Sequence, residues 1–262
     1  MDLSRHEVER LIRDGSAYFQ SVGEAVAGSA WQWREEPVAG QRPMMALSWQ
    51  PAAARTAVYF SAGVHGDEPA GPLAILSWLQ KRNWPSSTAC YLVPRVNDAG
   101  LAGNTRENRG GIDLNRDYRE PSQPETRAHV AILKALPRMD LTLCLHEDWE
   151  AKGVYLYEKK AEELDGCAEV LLSAMARHLP VEQALEIDGQ RANGGIIRKD
   201  LGTDGRDDWP EAFYLATRHS HLNYTLETPS ASPLALRVAA HLEAVETALA
   251  WVGATRHPRN GH

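Results

Sequence analysis

Several classes of protein are excluded by what this sequence lacks. No apolar run approaches the ~18 residues that span a bilayer, and the opening MDLSRHEVERLIRDGSAYFQ alternates charged with apolar positions where a secretory signal needs an unbroken apolar core. Cysteine is scarce: Cys90, Cys144 and Cys167 are widely spaced and form no C-x-x-C pair, which argues against a disulfide framework and against a cysteine-ligated metal. A cytoplasmic protein is the expectation. There is no excess of positive charge either, since 28 Lys+Arg face 35 Asp+Glu for a formal charge of −7. Without a global basic field, neither nucleic acid nor a membrane surface is an expected partner. G-x-S-x-G, the P-loop and G-x-G-x-x-G are absent too, so serine hydrolases, nucleotide hydrolases and dinucleotide enzymes lack their local signatures.

What is present reads as a folded α/β chain. Hydrophobic residues make up 43% and charged residues 24% of 262 positions, far from the composition of disorder. Apolar spacing predicts an amphipathic helix over 4–22, on the edge of the domain. Strands are expected over 56–63, 89–95, 141–145, 154–157 and 223–226, and helices from Pro69 onward and over 125–136, 161–178 and 232–252. Alternating strands and helices imply an α/β fold in which a mixed, largely parallel sheet carries helices on both faces. Two polar stretches, 97–124 and 188–210, interrupt the rhythm and read as functional loops. No repeat or linker divides the chain. One catalytic domain over 1–262 is expected, with the N-terminal helix within 1–25 and a polar tail over 254–262.

Three positions carry chemistry. His65-Gly66-Asp67-Glu68 is an H-x-x-E between a strand and a helix, supplying an imidazole and a carboxylate of the kind zinc uses; a helix N-terminus offset by Asp67 and Glu68 is the plainer reading of the motif alone. His146 directly follows the strand LTLCL and Glu227 directly follows NYTL, and ligands of parallel sheets bind beyond the carboxyl ends of strands. His65, Glu68, His146 and Glu227 together make three zinc ligands and a base. The loop TRENRGGIDLNRDY adds Arg106, Arg109 and Arg116, whose guanidinium groups suit a carboxylate. Asp113 within it is a candidate partner for the second nitrogen of a ligating histidine.

These motifs, in the order HGDE, GIDLNR, His146 and TLE, resemble the zinc carboxypeptidase family, particularly its short bacterial members similar to murein-tripeptide amidases, over most of the chain from Thr56 to Pro229. The resemblance implies one zinc ion (Zn2+) held by His65, Glu68 and His146, with Asp113 orienting His65. It implies that Asn115 and Arg116 bind the substrate carboxylate, that Arg106 stabilises the oxyanion with Arg109 as its nearest rival, and that Glu227 is the general base. The expected activity is hydrolysis of the amide bond to a residue bearing a free carboxylate, in a short peptide or other amino-acid-derived substrate.

The sequence departs from that family in three places. Asp117 follows Arg116 where the family commonly has Asn, which suggests a preference for a substrate with an ammonium group. No motif fixes a substrate-capping tyrosine, for which Tyr214 is a candidate and Tyr224 a strand residue. Glu147 and Asp148 adjoin His146 as a solvated pair or, less simply, a second metal site. An aspartoacylase or succinylglutamate-desuccinylase type of deacylase is the second reading; only 35 residues follow Glu227, fewer than the extra C-terminal β domain of those relatives needs. A catalytically silent binding module is the third, weakened by the presence of every ligand and the base. His219 and His221 read as wall or surface residues, and Trp149 and Trp209 as candidates to line a cleft.

Overall fold

The computed structural model describes residues 4–202 and 205–255. The chain begins with two helices, α1 (Arg5–Arg13) and α2 (Gly15–Val26). They are not one, because Asp14 leaves helical geometry, closing α1 and accepting the Ser16 N–H to open α2. Ser4 and Glu7 form a reciprocal capping box at the start of α1. After α2 come β1 (Gln32–Glu36), β2 (Met44–Trp49), β3 (Thr56–Ala62), α3 (Ala70–Lys81), β4 (Thr88–Val93), α4 (Asp98–Gly103), α5 (Pro124–Lys134), β5 (Leu141–Asp148) and β6 (Tyr155–Lys160). The chain continues through α6 (Ala168–Met175), the short pair β7 (Glu186–Ile187) and β8 (Gln190–Arg191), β9 (Ile196–Lys199), α7 (Glu211–Arg218), β10 (Leu222–Pro229) and α8 (Leu234–Ala254).

Eight strands form one mixed sheet in the order β1-β2-β4-β3-β5-β10-β6-β9. Pairing is parallel from β4 through β3 and β5 to β10, and between β6 and β9, and antiparallel elsewhere. The period-two alternation of strands assigns the faces. Val58, Phe60, Leu141, Leu143, Leu145, Tyr224 and Leu226 enter a core under α2, α3, α6 and α8. Tyr59, Tyr91 and Cys144 face the opposite way, into a core roofed by α5 and α7. Helices therefore cover both faces, as the sequence implies. Beyond α7, the same face of β10 and β6 is left open as a cleft.

Other boundaries differ from expectation for local reasons. The helix expected over 161–178 contracts to α6, since Lys160 Nζ gathers the Leu164 carbonyl at 2.9 Å and Leu164 N–H closes a turn on Ala161. The polar stretch 188–210 contains β8 and β9, and 97–124 contains α4 and a 3-10 turn at Leu114–Arg116. Edge strand β1, QWREE, is exposed on both faces and carries no apolar alternation to read. Most of the tail over 254–262 lies outside the described residues; α8 runs through Ala254. No described helix is long and apolar enough to cross a membrane.

Candidate active site

The site begins where β3 ends. Gly63 has φ +67, and Gly66 approaches α4 so closely that a Cβ would lie 1.9 Å from the Gly100 carbonyl carbon, so the loop carrying His65 and Glu68 tolerates no side chain at 66. The start of α3 is fixed from the neighbouring strand. Pro69 offers no side-chain cap, and the Glu147 carboxylate of β5 accepts the Ala70 N–H at 2.7 Å instead. Glu147 also pairs with Arg237 of α8. It is buried, and desolvation against that pairing pushes its pKa up to about 7. The expectation of a solvated Glu147–Asp148 pair is thus corrected: both residues border the cavity, but alternation along β5 commits the buried Glu147 carboxylate to α3 and α8, while Asp148 shares the face of His146.

His65, Glu68 and His146 converge as a buried group whose ligand atoms lie within 4.8 Å of one another. Glu68 is shared: His65 Nδ1 lies 2.5 Å from Oε1 and His146 Nδ1 lies 3.0 Å from Oε2. The second nitrogen of His65 meets Asp113 Oδ1 at 3.2 Å. Burial lowers the basicity of His65, but Glu68 and the hydrogen bonds with Asp113 and Glu68 outweigh it and raise its pKa to about 9. Burial likewise opposes ionisation of Glu68, yet the two imidazoles hold its carboxyl well below the usual range. A field that favours positive charge between these atoms favours a dication there equally. Two imidazoles and one carboxylate, with one imidazole braced by a second carboxylate, are a donor set that fits zinc.

Around this group the loop from α4 to α5 folds back. Asp113 accepts the Arg106 Nε and Nη2 N–H groups at 3.2 and 3.1 Å and the Asn115 N–H at 2.8 Å, so one carboxylate fixes His65, Arg106 and the Asn115 turn together. Arg106 Nη1 stands 3.2 Å from His65 Nδ1. Asn115 Oδ1 accepts the Glu211 N–H of α7 at 2.8 Å, which commits the oxygen and turns the amide's NH2 away from that helix. On the other side, β10 is paired so that Glu227 stands level with His146 of β5 and Tyr155 of β6. Burial, offset by His146 and reinforced by Glu68, Asp148 and Asp188, holds the Glu227 carboxyl well above its ordinary range.

A cavity of about 380 Å³ joins these residues. It is lined by His65, Glu68, Arg106, Asn115, Arg116, His146 and Glu227 of the expected set. Arg109 is not in it; it sits exposed on the 108–112 turn, which leaves Arg106 the guanidinium at the cluster. Asp117 is absent as well. Its carboxylate accepts Ser122 N–H and Oγ–H and Gln123 N–H at 2.8–3.0 Å, tying down the entry to α5, so it makes no ammonium pocket. Tyr214 packs against Tyr118 and His219, and Tyr224 is buried with its hydroxyl on Glu158; neither reaches the cleft. His219 and His221 stay outside it, as does Trp209, whereas Trp149 lines it.

The sequence reading missed much of the wall. Tyr155, Tyr157 and Lys159 alternate along β6 opposite Glu227, Thr225 and Asn223, and all six line the cavity. Tyr157 donates to Asp188 at 2.8 Å. Lys199, Arg206 and Phe213 complete the lower end, so the cleft mixes both signs of charge. His241 of α8 supports the site from behind the sheet. Burial lowers its pKa to about 3, and as a neutral ring it donates Nε2–H to the His146 carbonyl at 3.0 Å.

The family model of the succinylglutamate desuccinylase/aspartoacylase catalytic domain matches residues 54–190. None of the curated proteins matches the chain. Among solved structures, a candidate metallopeptidase from Shewanella amazonensis SB2B aligns with TM-score 0.78 and 22% identity over 90% of this chain and 92% of its own. Another from Shewanella denitrificans OS217 aligns at 0.78 and 23%, over 91% and 90%. A metallo-carboxypeptidase from Burkholderia cenocepacia gives 0.67 and 17%, over 91% of this chain and 69% of that one. At these identities the likeness is one of fold.

Proposed function

Since the chain belongs to the succinylglutamate desuccinylase/aspartoacylase catalytic-domain family and has the fold of metallo-carboxypeptidases, we propose that it is a zinc-dependent hydrolase cleaving the amide bond to a residue with a free carboxylate, in an N-acyl amino acid or short peptide. The observation that carries this reading is the buried His65–Glu68–His146 group with Glu227 level with it on one face and Arg106 against it on the other. His65, Glu68 and His146 would hold the zinc. Zinc bound there supplies a Lewis acid at the scissile carbonyl.

The chain's own residues do the rest. Glu227, with its raised proton affinity, takes the proton of the attacking water and delivers it to the leaving amine. Arg106 donates N–H to the developing oxyanion, a contribution whose loss typically lowers turnover ~10²–10³-fold. Asn115 Nδ2 and the Arg116 guanidinium receive the substrate carboxylate. Asp113 keeps His65 and Arg106 in register and fixes which nitrogen of His65 is free to ligate. Family membership favours the deacylase form of the reaction and the fold is common to the peptidase form; they differ in the acyl group, not in the machinery.

Metal analysis of the purified protein, followed by mass spectrometry of products from dipeptides, murein peptides and N-acyl amino acids, tests the reading. One zinc per chain and release of a free amino acid are expected. Glu227→Gln keeps the metal and loses at least ~10²-fold in turnover. Near-normal turnover in that variant removes Glu227 from its role, and hydrolysis that survives chelation removes the metal from the reaction.

A further inference from the structure

The cleft leaves the metal-binding group in two directions. Down the sheet, Thr225 and Asn223 of β10 and Tyr157 and Lys159 of β6 succeed Glu227 and Tyr155 at two-residue steps. Helix α7 borders this half through Ala212 and Phe213, and its Glu211 N–H holds Asn115, so the Asn115–Arg116 turn belongs to the lower half. In the other direction β5 carries the chain past His146 to Asp148 and on to Trp149. At ~3.3 Å per residue the indole is rooted roughly 10 Å beyond the ligand, in the outer half.

Trp149 is 75% exposed, against 52% for Trp33. Looseness does not account for it. The residue before it is tied three ways: the Asp148 carbonyl accepts Ser230 N–H at 2.8 Å, Oδ1 accepts Glu150 N–H at 2.8 Å, and Oδ2 accepts the Tyr155 hydroxyl at 2.9 Å. An indole rooted on a fixed turn at the mouth of a cleft is apolar surface available to a ligand. The wall residues that flank it along the chain, Asp148 and Glu150, are acidic, so the ligand group that reaches it is not an anion.

We propose that Trp149 is the platform for the acyl half of the substrate, and that this acyl group is uncharged and planar or extended and apolar, not a dicarboxylic one. The inference rests on the amide-hydrolase reading above and names the substrate class on the side of the bond that the carboxylate pocket does not see. A ring or chain lying on the indole face is held by dispersion and edge-to-face contact. A second carboxylate on the acyl group would meet the acidic wall.

The test uses N-benzoyl-, N-acetyl- and N-succinyl- derivatives of glutamate and of leucine with the zinc-loaded full chain. Wild type is expected to favour benzoyl over acetyl by about tenfold in kcat/KM, mostly through KM, and to disfavour succinyl. Trp149→Ala brings the benzoyl-to-acetyl ratio down to about one, Trp149→Phe keeps most of it, and Trp33→Ala leaves it at the wild-type value. The same ratios read as equilibrium binding by calorimetry, in the Glu227→Gln background with and without Trp149→Ala, give an answer independent of turnover. A preference for succinyl, or a benzoyl-to-acetyl ratio that does not respond to Trp149→Ala, overturns the proposal. If wild type hydrolyses none of the six compounds, the N-acyl amino acid form of the reading fails, and the binding ratios still decide the role of Trp149.

Discussion

Asp113 shows how economically the side chains around the metal-binding group are used, for one carboxylate meets an imidazole, a guanidinium and a backbone N–H. Burial opposes its charge, and the His65 hydrogen bond, with the charges of His65, Arg106 and Arg116, still holds its carboxyl well below the usual range. Asp117, four positions on, has the opposite fate. Its hydrogen bonds all run to Ser122 and Gln123, so Asp117→Asn should leave the ratio of Lys-ended to Leu-ended dipeptide turnover unchanged while lowering unfolding stability by about 1–2 kcal/mol. Parallel kinetics and urea titration of the variant check both halves; a shift in the ratio would return Asp117 to the cleft. His65, Glu68, His146 and Glu227 were legible in sequence because metal chemistry admits few residue types and strand ends limit their places. Asp117 and Glu147 were not, because adjacency in sequence says nothing about which way a side chain turns.

At the scale of elements, α5 and α7 meet the sheet through a buried polar chain. Tyr118 OH lies 2.7 Å from His129 Nδ1, His129 Nε2 lies 2.6 Å from Tyr59 OH, and Tyr59 donates to Glu211 at 3.3 Å. Since Tyr59 directs its proton to Glu211, His129 carries its own on Nε2 and accepts from Tyr118 at Nδ1. Burial lowers the His129 pKa to about 3 and raises that of Glu211 to about 7. Their effects on stability have opposite signs. The Glu211 contribution is full below its ordinary pKa near 4.5 and is lost as pH rises through about 7; that of His129 is full above about 6.5 and is lost as pH falls toward about 3. Glu211→Gln removes the first, so its stability relative to wild type should rise by roughly 2–3 kcal/mol between pH 5 and pH 8. Urea midpoints of both proteins at the two pH values measure this, and a constant difference refutes it. Strands and helices with apolar periodicity were readable; the Asp14 break, a matter of one cap, and edge strand β1, which buries almost nothing, were not. The tyrosines of β6 escaped for a related reason. A strand's alternation is visible in sequence, but which of its faces borders a cleft depends on the partners it finds.

For the molecule as a whole, the proposed ligands come from the ends of β3 and β5, so a metal held there would be a tie across the centre of the sheet. Chelation should therefore lower the melting temperature. At a free zinc concentration of ~100 Kd the bound ion adds about 2.7 kcal/mol, equivalent to roughly 5–10 °C for a chain of this size. Calorimetry before and after chelator reads the shift, and an unchanged transition would mean that no metal is held in the folded state. The order of the motifs was enough to bring 65, 146 and 227 to one sheet edge, yet nothing in the sequence reveals that β10 lies between β5 and β6.

That placement bears on how the protein comes into being. Strands β3 and β5, with His65, Glu68 and His146 at their ends, are synthesised before the later strands. Strand β6 is made before its neighbour β10 and has to wait for it, because β10 alone joins β6 and β9 to the rest of the sheet. The same late strand delivers Glu227. A growing chain thus carries the three residues of the proposed metal group well before it carries the proposed base, and the arrival of one strand completes both the sheet and the proposed site.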